Sequence, residues 1–169
     1  MTITPKRVLI NSIQYFNLRN LPLEDLLGES DFIMPLLPLK PDTFHLIDSG
    51  ALGRMKPGSF LANISRGSVV DEEAVAEALA SGRLGGYAAD VFEMEDWARE
   101  DRPRSIPRSL LEDTDHTFFT PHLGSAVDDV RREIALEAAR NILSALNGER
   151  PEGAINSPAC KGIRQRREA

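Results

Sequence analysis

The chain has 169 residues, 41% hydrophobic and 27% charged, a composition that can bury a core and suits one domain or little more. Its formal net charge of −6 argues against nucleic acid or an anionic membrane as the main partner. The single cysteine, Cys160, excludes a disulfide framework and a cysteine metal site, and no apolar run is long enough to span a bilayer.

Residues 1–19 show no clear hydrophobic period beyond a short apolar run at Arg7–Ile10, and no apolar core ending in a small-residue cleavage site. They stay unassigned, and a cytoplasmic enzyme or binding domain is the expectation. Leu23 to Leu27 reads as a helical turn closed by Gly28. Phe32 to Leu37 is continuously apolar and reads as a buried strand, weakened by Pro35, which cannot donate to a ladder. The loop Pro38 to Thr43 follows. Residues 48–56 form a short helix capped by Asp48 or Ser49, with Leu52 and Met55 on one side. Pro57-Gly58 is a turn, and Ser59 to Ile64 is the second strand. Asp71 to Ala80 is a helix with acidic residues at its positive end and an apolar face of Ala74, Val75, Ala78 and Leu79; Gly82 stops it. Tyr87 to Phe92 is the third strand, residues 93–114 a long polar loop, and Thr117 to Thr120 a fourth strand. The longest helix runs from Ala126 to Leu146 with Val127, Val130, Ile134, Ala138, Ile142 and Ala145 at helical spacing, ended by Asn147-Gly148. Residues 156–169 are a basic tail expected to be disordered.

Strands alternating with helices imply crossovers and a parallel sheet, so the C-terminal strand ends share one edge. Arg66, Asp90 with Glu93 and Glu95, and His122 each follow a strand. Arginine can hold an oxyanion with a planar fork of donors, histidine can move a proton near neutral pH, and a carboxylate can orient that histidine. Together they suit proton removal from a substrate bound as an anion. Taken singly, each has a plainer explanation as an ion pair, a solvated acid or a capping residue, and spacing alone leaves the two readings about even. His45 reads as structural and His116 as solvated. No histidine pair or Cys/His cluster has metal-ligand spacing, so no metal is expected, and no G-x-S-x-G is present.

At Ser65-Arg66-Gly67-Ser68-Val69-Val70-Asp71-Glu72 the chain resembles the D-isomer-specific 2-hydroxyacid dehydrogenase family. The likeness continues through Gly86 to Phe92, Glu95, and Thr120 to Ser125. The stretch Asp90 to Arg104 resembles the phosphonate (phosphite) dehydrogenase branch, because Asp96-Trp97 follows Glu95 where most of the family has a proline. The resemblance covers about residues 20–155. It implies an α/β fold, a partial Rossmann-type doubly wound parallel sheet, with NAD as cofactor. It implies Arg66, Glu95 and His122 as the catalytic residues: Arg66 binding the substrate anion, His122 as general base, and Glu95 orienting it. It implies Leu37, Pro38, Thr43, Ile64, Ser65, Arg66, Asp90, His122, Gly124 and Ser125 around the cofactor, and Arg66, Trp97 and His122 around a small anion, either phosphite or a D-2-hydroxyacid.

The family's G-x-G-x-x-G turn is absent, as is the acid that selects NAD over NADP. The expected layout is therefore a partial NAD-binding domain over 20–125 and a C-terminal helix and return segment over 126–155, with the N-terminal half of the family fold missing. Three outcomes stay open: an oxidoreductase, a non-catalytic remnant, or a subunit that needs a separate N-terminal half. A homodimer through residues 126–146, or pairing with that half, is the expected assembly.

Overall fold

Among the described residues four strands lie side by side, all parallel, in the sequence order β1-β2-β3-β4. The computed structural model describes residues 19–156, which fall into two units, one reaching Pro121 and one starting at His122. In the first unit the elements are α1 (Leu23–Glu29), β1 (Phe32–Ile33), α2 (Ser49–Arg54), β2 (Ser59–Asn63), α3 (Glu72–Ala80), β3 (Leu84–Ala89), α4 (Arg108–Glu112) and β4 (Thr117–Phe119). The second unit holds α5 (Asp128–Asn147). The expected α/β class and parallel sheet are what is observed.

Local chemistry explains most boundaries. Asp48 caps α2 by accepting from Ala51 N at 2.8 Å, and Asp71 caps α3 by accepting from Ala74 N at 3.1 Å. Beyond α3 the chain reverses at Gly82, whose φ of +71° suits glycine. The guanidinium of Arg83 donates to the carbonyls of Leu52, Gly53 and Met55, satisfying the end of α2.

The core lies on one face of the sheet. Ile33, Leu61, Tyr87 and Ala89 meet Leu27 of α1, Ala51 and Leu52 of α2, and Val75 and Leu79 of α3. Among the described residues nothing covers the opposite face. Phe32 stacks on Phe60 at 5.2 Å, Phe60 covers Gly86, and Phe32 and Phe118 are 77% and 70% exposed. These side chains line a groove of about 420 Å³ across the sheet.

Several element bounds differ from expectation, β3 for example ending at Ala89 and not at Phe92. β1 stops at Ile33, short of Pro35, which has no amide to pair. The helix expected to close at Gly28 continues to Glu29. β3 starts at Leu84, three residues earlier than expected, and so contains Gly85 and Gly86. A Cβ at Gly85 would lie 2.4 Å from Gly58 O, and one at Gly86 would lie 2.9 Å from the Phe60 ring. These glycines mark close approach inside the sheet rather than a turn. The long loop after β3 contains a 3-10 turn at Glu93–Glu95 and α4. The run at residues 7–10, Cys160 and the basic tail lie outside the described residues.

In the second unit, Asp128 and Asp129 occupy the first turn of α5, and Gly148 ends it at φ +80°. None of its residues is buried, and Val127, Val130, Ile134 and Ile142 are all exposed.

Candidate active site

β2 and β3 deliver two loops to the same sheet edge. The first, residues 64–68, is shaped from beneath by Asn63, which is fully buried. Its amide donates to Arg66 O at 3.0 Å and Gly67 O at 3.4 Å, and its carbonyl accepts from Ser65 N at 3.1 Å and Ser65 Oγ at 3.0 Å. The chain is thereby folded so that Arg66 stands exposed while Ser65 and Gly67 are buried. Arg66 Nη1 donates to Ser65 O at 2.6 Å. Ile64, beside it, is 52% exposed, an apolar side chain at a polar edge.

The second loop runs from Asp90 to Trp97. Asp90 N donates to Asn63 O at 3.0 Å, continuing the sheet, and Asp90 Oδ1 accepts from Thr120 Oγ1 at 2.6 Å. Glu95 Oε1 accepts from Phe92 N at 3.0 Å, which turns the carboxylate back over its own 3-10 turn. Trp97 is 79% exposed, with the Arg102 guanidinium 4.2 Å above its ring.

The two loops are in backbone contact. A Cβ on Gly67 would lie 1.9 Å from Phe92 C, so no other residue fits without moving one loop. Beneath this contact Glu72 and Glu93 exchange bonds: Glu93 N donates to Glu72 Oε1 at 2.8 Å, and Glu72 N donates to Glu93 Oε1 at 3.1 Å. Burial pushes the Glu72 carboxyl up to about 7; the Glu93 N–H opposes this, while the charges of Glu93, Glu95 and Asp96 add to it. Its Oε2 is buried without a hydrogen-bond partner. Glu93 Oε2 lies 2.8 Å from His45 Nε2, and His45 Nδ1 lies 3.7 Å from Asp71 Oδ2. The donor atoms of His45, Asp71 and Glu93 fall within 4.8 Å of one another, a polar cluster that spacing in the sequence does not reveal. His45 adopts φ +46°, stacks on Phe44 at 3.8 Å and donates its backbone N–H to Ser68 O at 2.8 Å.

The loop after β1 is pinned by Thr43, whose hydroxyl donates to Pro38 O and accepts from Lys40 N, both at 2.8 Å. Leu37 and Pro38 are exposed at this strand's end. Arg66, Glu95, Asp90, Ile64, Ser65, Trp97, Leu37, Pro38 and Thr43 thus follow β1, β2 or β3 in the first unit. His122 opens the second unit directly after β4, at φ +54°, with Gly124 and Ser125 behind it. Ser125 O accepts from Arg131 Nε at 3.0 Å. His116 lies at the opposite end of β4, bonded to Asp113 Oδ1 at 2.8 Å. Sequence reasoning passed over Asn63, although a polar amide ending an apolar strand is a turn-forming signal.

A parallel α/β sheet with these loops at its C-terminal edge is the frame of a dinucleotide-binding domain. The family model "D-isomer specific 2-hydroxyacid dehydrogenase, NAD binding domain" matches residues 3–124, and the chain belongs to this family. The match takes in most of the N-terminal segment left unassigned above. The chain is 41% identical over 148 residues to a glyoxylate/hydroxypyruvate reductase B of Pectobacterium carotovorum, covering 88% of this chain and 44% of that protein. It is 40% identical to a glyoxylate reductase of Thermococcus onnurineus, covering 80% of this chain and 38% of the relative. Among solved structures, D-mandelate dehydrogenase of Rhodotorula graminis superposes with a TM-score of 0.68 at 31% identity, covering 83% of this chain and 39% of that one. D-lactate dehydrogenase of Aquifex aeolicus, solved with NAD and lactic acid, gives 0.67 at 27% identity, covering 85% and 45%. The chain spans less than half the length of these relatives.

Proposed function

We propose that this chain carries the nicotinamide-side edge and the anion grip of an NAD-dependent oxidoreductase acting on a small anion, phosphite or a D-2-hydroxyacid. The observation that supports it is the locking of the Arg66 loop to the Glu95 loop by Gly67 against Phe92, which puts a guanidinium and a carboxylate on one edge of a parallel sheet. NAD, when bound, supplies the hydride acceptor. Exposed Ile64 and Leu37 at the strand ends offer apolar surface of the kind a flat ring covers. In this reading Ser65, Asp90, Gly124 and Ser125 complete the nicotinamide side, and Pro38 and Thr43 the adenosine side. Arg66 holds the substrate anion, His122 takes the proton from the hydroxyl or from an attacking water, and Glu95 orients His122. Trp97 shapes the substrate end. Phosphite is favoured by the sequence from Asp90 to Arg104; a 2-hydroxyacid or its keto form is favoured by the reductases of similar sequence. The acidic chain favours neither nucleic acid nor membrane as partner, and residues 126–146 or an N-terminal half are the proposed assembly contacts.

A second reading, a non-catalytic nucleotide-binding or dimerisation fragment, rests on the sheet face that is open among the described residues. NADH formation from phosphite, D-lactate and D-glycerate, with and without the N-terminal half of a relative, separates the two. Turnover in either arm supports the oxidoreductase. A protein that neither turns over nor binds NAD by calorimetry in either arm refutes it.

A further inference from the structure

We infer that Asp96 is a positioning residue whose carboxylate ties the Arg66 loop to the Glu95 loop. The inference rests on the proposed role of Arg66 in holding the substrate anion. Ser68, two residues beyond Arg66, donates its backbone N–H to Asp96 Oδ2 at 2.7 Å. Asp96 directly follows Glu95. The bond therefore spans two loops that are distant in sequence and joins them within two residues of each functional side chain.

The link is direct, unlike the bridge through His45, whose backbone N–H donates to Ser68 O and whose ring lies 2.8 Å from Glu93 Oε2. Asn63 holds Arg66 and Gly67 from the β2 side, through their carbonyls. Glu72 and Glu93 join the base of α3 to the second loop. Gly67 sets how closely the loops approach, by van der Waals contact alone. The Asp96–Ser68 bond is directional and charge-assisted, and it fixes how the 3-10 turn Gly67–Val69 is rotated against the turn Glu93–Glu95. Asp96 N donates to Glu93 O at 3.1 Å, so the carboxylate projects from a closed turn rather than a loose loop. Ser68 is fully buried, and no water replaces the carboxylate at its amide without rearrangement. Losing the bond frees the loop that aims Arg66.

The test compares the full chain with Asp96→Ala and Asp96→Asn, whose side-chain carbonyl still accepts. Amide exchange at Ser68, with Leu61 of β2 as internal reference, reports the link itself. Calorimetry with phosphite and with oxamate in the presence of NAD reports the anion grip. Asp96→Ala is expected to speed Ser68 exchange and to weaken anion binding, each by about tenfold, with Leu61 unchanged; Asp96→Asn is expected to keep both within about threefold. Faster exchange at Leu61 as well, or a collapsed melting curve, makes Asp96 a general stability residue and overturns the inference. So does an Asp96→Ala protein that binds the anions as well as the parent, or an Asp96→Asn protein that falls as far as Asp96→Ala. A parent chain that binds neither anion, alone or with the N-terminal half of a relative supplied, overturns the reading of Arg66 and the inference with it, whereas binding that Asp96→Ala retains overturns the inference alone.

Discussion

Replacing Glu72 by glutamine is expected to make the protein more stable at neutral and alkaline pH and to leave it near the parent in acid. Glu72 is 1% exposed and its folded-state pKa is about 7, against 4.5 for a free glutamate. The folded protein therefore binds a proton that the unfolded chain gives up. Below about pH 4.5 both states are protonated and the burial has no ionisation cost. As pH rises toward 7 the unfolded chain ionises freely while the folded one resists, so stability falls, and above about 7 the loss is complete. At 1.36 kcal/mol per pH unit, the interval from 4.5 to about 7 corresponds to about 3 kcal/mol. Glutamine keeps the shape and the acceptor for Glu93 N without the charge. Urea denaturation at pH 5, 6, 7 and 8 should show the variant's advantage growing across that range by about 2.5 kcal/mol. A difference that stays constant with pH would refute the reasoning. The charges of Glu93, Glu95 and Asp96 contribute to the shift, so Asp96→Asn should flatten the parent's own decline.

Gly67→Ala should destabilise by about 3 kcal/mol or more, because its Cβ would lie 1.9 Å from Phe92 C and one loop must move; a melting curve checks it. Thr120→Val should cost about 1 kcal/mol by removing the 2.6 Å bond that the hydroxyl donates to Asp90 Oδ1, measured by chemical denaturation. Leu61→Ala, at a position 1% exposed in the core, should cost about 2–5 kcal/mol in the same assay. His122→Ala should abolish any NADH formation that the parent shows and His116→Ala should spare it; equal losses would contradict the assignment of His122.

Much of the frame was legible in the sequence because it rests on local chemistry. Asp48 and Asp71 cap helices through their own side chains, and Gly82 and Gly148 sit where the chain needs positive φ. Those signals are carried within four residues. What escaped was set by partners far along the chain. Gly85 and Gly86 fall before the expected start of the third strand at Tyr87, yet they are strand residues made necessary by the close approach of Gly58 and Phe60. Glu72 looked like one more acid at a helix start, which describes Glu73 on the same turn; burial against Glu93 gives Glu72 a different character. His45 read as structural from its apolar neighbours, but its carboxylate partners Asp71 and Glu93 come from other elements. Arg66 and Glu95 were expected on one edge, and both strands deliver them there. The contact that locks their loops together has no signature in the sequence beyond the single glycine at 67.

Because all four strands run the same way and in sequence order, the connections divide into two sets. Those leaving a strand, around residues 34–48, 64–71 and 90–107, crowd the edge that carries Arg66 and Glu95. Those entering a strand, around residues 30–31, 55–58, 81–83 and 113–116, gather at the far end. Tags or spectroscopic labels should therefore be tolerated best on exposed side chains at this far end, such as Asp115. The same edits a strand-length away would fall on the loops that Asn63, Gly67 and Asp96 hold together.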